Sequence, residues 1–184
     1  MRKNMKALLI TLAAVFGVAI VVFTAVVSSK NTAISLEETV ETAKSGIDVQ
    51  LSNRFNKLSE LAECVKKYDE HEYKALVDVI SARGRNMSGA DAKQCIAAFS
   101  RVEERYPDLK SQQNYKQLMT EISLTENHLA QHKKAYNESV RDYRRHCRSF
   151  PGSLFLPLCG YEARQYGYYE TDESARDTRP MKLF

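Results

Sequence analysis

The chain opens its hydrophobic pattern with an uninterrupted block: residues 7–27 carry no charge, and Thr11 and Thr24 are the only hydroxyl side chains among them. As a helix this block spans about 31 Å, close to the thickness of a bilayer's hydrocarbon core. A cleaved signal peptide is the rival reading. The block exceeds the usual ~7–15 apolar residues of a signal, and no A-x-A cleavage site follows it, so an uncleaved anchor is expected. Beyond it the pattern becomes periodic. Leu36, Val40, Ala43, Ile47, Leu51, Phe55, Leu58, Leu61 and Val65 recur at intervals of three and four, which predicts an amphipathic helix over residues 35–67. Ser35 with Glu38 three residues on reads as a capping box at its start, and Glu37 and Glu41 suit a helix N-terminus.

Three further segments follow. Tyr73, Leu76, Val77 and Ile80 predict a helix over residues 69–83 that Gly84 stops. Ser88 and Asp91 form a second capping-box pattern, followed by Ala92, Cys95, Ile96, Phe99 and Val102 at helical spacing until Pro107. Pro107 cannot continue that helix, Asp108 or Ser111 can cap the next, and Tyr106 is expected to pack the turn onto the domain. Tyr115, Leu118, Ile122, Leu129, Tyr136, Val140, Tyr143 and Cys147 predict a long helix over residues 111–147, broken at Phe150-Pro151. Residues 151–184 show no helical period and are expected to be mostly irregular. The fold class is therefore all-α: an N-terminal transmembrane helix, then an antiparallel up-and-down four-helix bundle with coiled-coil-like stripes. The organisation is a basic N-terminal segment (1–6), the anchor (7–27), a juxtamembrane linker (28–34), the helical domain (35–150) and the tail (151–184).

Charge adds an orientation. Arg2, Lys3 and Lys6 precede the apolar block, and Lys30 with Glu37, Glu38 and Glu41 follows it. The positive-inside rule puts the N-terminus in the cytoplasm and the domain outside. After those four cations the remaining basic residues balance the 23 acidic ones. That argues against nucleic acid as a partner, since binding it needs a clustered basic excess.

The chemistry-bearing residues are few. His128 and His132 share a helix face, with Glu121 seven residues before His128, an arrangement that could hold a metal. A solvated face beside Ile122 and Leu129 explains the same residues, and no H-E-x-x-H sequence is present, so no metal and no cofactor are expected. Cys64, Cys95, Cys147 and Cys159 form no C-x-x-C pair. Cys64, Cys95 and Cys147 fall on or beside apolar faces, where Cys serves as a small hydrophobe; outside the cytoplasm three full pairings are open, with Cys147 to Cys159 the short closure. Arg141, Arg144, Arg145 and Arg148 cluster with His146 at a helix end. They either meet anionic lipid or an acidic partner, or simply complement the helix dipole. No Gly-rich phosphate loop and no nucleophile–base–acid set can be assigned, so no catalytic residue is expected.

Several stretches, taken in order, resemble the LemA family of bacterial membrane proteins. These are Ile47-Asp48-Val49-Gln50-Leu51 with Arg54, His71-Glu72, Ala82-Arg83, Tyr106-Pro107-Asp108-Leu109-Lys110, Thr125-Glu126-Asn127, Tyr136-Asn137-Glu138-Ser139-Val140 with Tyr143, and Ser149-Phe150-Pro151. The chain departs from the pattern at Lys30-Asn31, where Tyr-Asn is usual. It departs again at residues 56–61, which lack the family's proline, and at Arg144, which replaces an Asn. The resemblance implies a membrane-anchored four-helix bundle of bromodomain-like topology and no catalytic residue. The expected function is a non-enzymatic, single-pass membrane protein that presents its helices to an envelope protein or to another copy of itself. A metal-binding accessory or a lipid-shaping protein are the alternatives.

Overall fold

The computed structural model describes residues 2–169, with side chains from residue 9 onward. All secondary structure among the described residues is helical: α1 (Arg2–Lys66), α2 (Glu70–Arg83), α3 (Gly89–Arg105), α4 (Pro107–Ser111), α5 (Gln113–Arg148) and α6 (Gly152–Leu158). The periodic segments thus form the helices their spacing predicts, within a few residues. Residues 170–184 of the expected tail lie outside the described residues.

The largest difference is at the start. The apolar block, the expected linker over residues 28–34 and the first amphipathic segment are one helix of 65 residues. Ser35 is therefore not an N-cap, and its box with Glu38 does not form. Ser35 sits inside the helix, where its carbonyl accepts the Thr39 hydroxyl at 2.8 Å. A serine caps only where the preceding backbone leaves the helix. Residues 28–34 contain neither Gly nor Pro, Thr32 back-bonds to Ser28 at 2.9 Å, and Ala33 is already buried, so nothing ends the helix there. Residues 56–61 also stay helical, with Leu58 and Leu61 fully buried, as the missing proline permits.

The chain divides into two compact units. One comprises the described residues up to 42 together with 137–168, and the other residues 43–136 with Tyr169. In the second unit, Leu58, Leu61 and Val65 of α1 join Leu76 and Ile80 of α2, Cys95, Phe99 and Val102 of α3, and Tyr115, Leu118 and Ile122 of α5 in one core. Local chemistry fixes the ends of its helices. Asp69 accepts the backbone N–H groups of His71 and Glu72 at the head of α2. Gly84 turns the chain out of α2 at φ 65°, a conformation that strains residues with a Cβ. Ser88 and Asp91 satisfy each other's backbone donors at the head of α3, as the sequence predicts.

The turn after α3 differs from expectation. Pro107 begins the extra short helix α4, and the Ser111 hydroxyl donates to the Asp108 carbonyl at 2.8 Å instead of capping α5. Tyr106 does pack as expected. Its hydroxyl donates to Asp69 at 2.7 Å and its ring leans on Tyr68.

In the first unit, α1 up to residue 42 meets the last turns of α5, and α6 folds back on α5. A Cβ built on Gly152 would lie 2.1 Å from the His146 carbonyl oxygen, so only glycine permits this approach. The expected irregular tail therefore begins with a helix; residues 161–169 have no regular structure.

Candidate functional site

Two polar clusters stand out, one in each unit. In residues 43–136 the seam of α1 runs Ile47, Leu51, Leu58, Leu61 and Val65, with a gap midway that Arg54 fills. The seam of α5 has its own gap between Ile122 and Leu129, filled by Glu126. Arg54 is 1% exposed. Its Nη1 donates to the Glu126 carboxylate at 3.1 and 3.4 Å, and its Nη2 donates to the Met87 carbonyl just before α3. One guanidinium thus ties together α1, α5 and the α2–α3 turn. A second pair extends the seam on the surface, Lys57 to Glu121 at 2.7 Å. The two pairs show that α1 and α5 run antiparallel here.

In the sequence Arg54 and Glu126 fall within two separate family-like motifs that nothing local joins. A signal was available: each is a charged residue at a position where the apolar stripe demands a hydrophobe.

The second cluster lies in the other unit and is built by the tail. The Tyr161 hydroxyl donates to Glu37 at 2.7 Å and sits 3.1 Å from the Tyr143 hydroxyl. The Tyr166 hydroxyl donates to Glu41 at 3.0 Å, and its ring meets Tyr143 edge-on at 5.5 Å. Arg164 pairs with Glu37 at 2.7 Å. Arg144 donates to the Tyr166 carbonyl and stacks over the Tyr168 ring at 4.5 Å. Burial pushes the Tyr166 phenol up to about 12, with the Glu41 carboxylate accepting its proton as the second cause. Burial also raises Tyr161 and Tyr143. The result is a clasp in which neutral phenols and carboxylates hold the tail on α1.

The candidate metal ligands do not converge on one site. Glu121 is engaged by Lys57 and Gln117, which hold its carboxyl below the usual range. His132 packs against Gly46, and His128 is exposed. Among the described residues no three His, Cys, Asp or Glu side chains converge as a metal site would need. All four thiols are free, and the Cys159 thiol donates to the Leu156 carbonyl at 3.2 Å. Of the arginines, Arg144 is part of the clasp and Arg141 pairs with Asp142 at 3.0 Å. Arg145 and Arg148 are exposed.

No curated protein matches the chain. The LemA family model matches residues 43–181, most of its length.

Proposed function

The chain belongs to the LemA family, and from that premise we propose that it is a single-pass, non-enzymatic membrane protein that presents a four-helix bundle for protein–protein contact at the bacterial envelope. The bundle in this reading consists of the second half of α1 with α2, α3 and α5. The N-terminus is cytoplasmic and the domain lies on the outer side of the inner membrane.

The observation that carries the reading is α1 itself. It holds an apolar stretch long enough to cross a membrane and continues without a break into a folded domain. An apolar span joined to a helical domain suits a protein whose task is to present that domain at a membrane. The charged residues inside the domain support the same view. Arg54 and Glu126 are consumed by holding helices together. Val49 and Leu124 are apolar and more than half exposed, as contact residues would be.

Photo-activated cross-linkers at Val49 and Leu124, in the full chain in native membranes, test it. Discrete adducts, with a second copy or with a defined membrane protein, are expected. A clean monomer from both positions overturns the contact reading. Metal analysis of the purified chain separates the alternative: a stoichiometric metal lost in His128→Ala would favour a metal-dependent accessory.

A further inference from the structure

The end of α5 and the helix after it form the least ordinary surface of the first unit. Residues 149–160 carry no charge. Gly152 and Leu156, four apart, are buried against the unit. The opposite face of the same stretch is Phe150, Leu154 and Leu158, again four apart, at 77%, 53% and 70% exposure. A helix normally turns polar side chains to water; this one is apolar on both sides.

Its position says what covers it. Tyr143 reaches Glu37 through the Tyr161 hydroxyl, and three residues later His146 Nε2 lies 2.9 Å from the Ser29 carbonyl. Along this course α5 descends toward the apolar block, and Ser29 is only two residues past its end. The chain after His146 is thus delivered to the block's last turns. Ala25 and Val26 are half-buried there, whereas every residue from 9 to 24 is exposed. Exposed cations lie close by in the chain: Arg145 and Arg148 on α5 just before the apolar stretch, and Lys30 on α1 next to Ser29. A groove lined by Arg145, His146, Ser149 and Phe150, together with the Arg141–Asp142 ion pair, joins the two kinds of surface.

We propose that α6 is a membrane-interface helix: Phe150, Leu154 and Leu158 rest among the lipid chains just below the headgroups of the leaflet from which α1 emerges, and Arg145, Arg148 and Lys30 meet the lipid phosphates. Apolar side chains backed by cations are what such an interface selects. The occupant is lipid because the apolar face adjoins the exit of the membrane-spanning block on the same unit. The proposal rests on residues 7–27 crossing the bilayer.

The chain contains no tryptophan, so single Trp substitutions report without background. Phe150→Trp, Leu154→Trp and Leu158→Trp are made singly in the full chain, reconstituted in bilayers containing anionic phosphatidylglycerol and lipids brominated on their acyl chains. Val15→Trp marks the apolar block. Gln165→Trp marks the clasp at Glu41, fourteen residues past Val27, or about 21 Å along the helix axis. The three α6 reporters should emit to the blue of Gln165→Trp and lose intensity to the bromines. The proposal is overturned if they match Gln165→Trp. It is also overturned if they emit blue but unquenched, since a protein copy then covers the face. Quenching of Val15→Trp without quenching of α6 sinks this inference alone, whereas an unquenched Val15→Trp sinks the membrane-spanning reading itself.

Discussion

Arg54 and Glu126, 72 residues apart in sequence, lie 3.1 Å apart in the seam between α1 and α5. The guanidinium is almost fully buried while the carboxylate keeps a third of its surface exposed. Removing one partner strands the other. Glu126→Leu leaves a buried cation with one carbonyl partner and should cost about 3 kcal/mol. Arg54→Leu with Glu126→Leu should recover much of that, because an apolar pair can replace a buried ion pair. Arg54→Lys should behave like a break, since an ammonium cannot bridge Glu126 and Met87 with one planar fork. Thermal unfolding of the full chain in detergent measures all three. A double variant as unstable as the worse single one would refute the pairwise account.

Gly46 lies inside α1, where glycine weakens a helix. A Cβ there would lie 2.7 Å from the His132 ring. Gly46→Ala should therefore give little in the native chain. In a His132→Ala background it should stabilise by about 1 kcal/mol, the helix-propensity difference. Equal effects in both backgrounds would mean that the imidazole does not limit the approach.

Gly152→Ala offers the opposite case, because its obstacle is the His146 backbone carbonyl and cannot swing aside. The expected cost is about 2 kcal/mol, in the range of overpacked sites. It should fall locally, as faster hydrogen exchange over residues 150–160 with α2 and α3 unchanged. Uniformly faster exchange across the chain would contradict this.

The tyrosine clasp predicts an alkaline transition. Tyr166 has its folded pKa raised to about 12, against about 10 for an unfolded tyrosine. Its contribution to stability is therefore complete below pH ~10 and is lost as the pH climbs toward about 12. Tyrosinate absorbance should show late-titrating phenols, and limited proteolysis should find the tail released over the same interval. Tyr166→Phe should remove one late titration and loosen the tail at neutral pH, since Glu41 then loses its donor. Early, independent titration of every tyrosine would refute the clasp.

Legibility followed the range of the forces involved. Helix positions, the box at Ser88 and Asp91 and the stop at Gly84 are local, and the sequence carries them openly. Ser35 misled because a capping pattern holds only where the preceding turn frays, which depends on Ala33 finding a buried place. α6 was missed because seven residues with two buried contacts show too little period to read. The Arg54–Glu126 bond was half legible. The two stripe gaps are visible, but matching one gap to the other needs the register of α1 against α5. The clasp depends on where the tail lands, and no spacing rule encodes that.

The unbroken course of α1 through residues 28–34 has a mechanical consequence. A flexible tether would let the clasp swing freely about the apolar block; a helix instead indexes Glu37 and Glu41 to an azimuth, about 100° per position. Glu37 and Glu41 are thereby aimed within about 40° of each other and held at a fixed angle to Ser29, like teeth cut on one shaft. Inserting one residue after Ser29 would aim both glutamates more than a quarter turn away from the flank on which His146 docks, with no contact residue altered. The compass bearing of the clasp is set by chain length in this short stretch, not by its side chains.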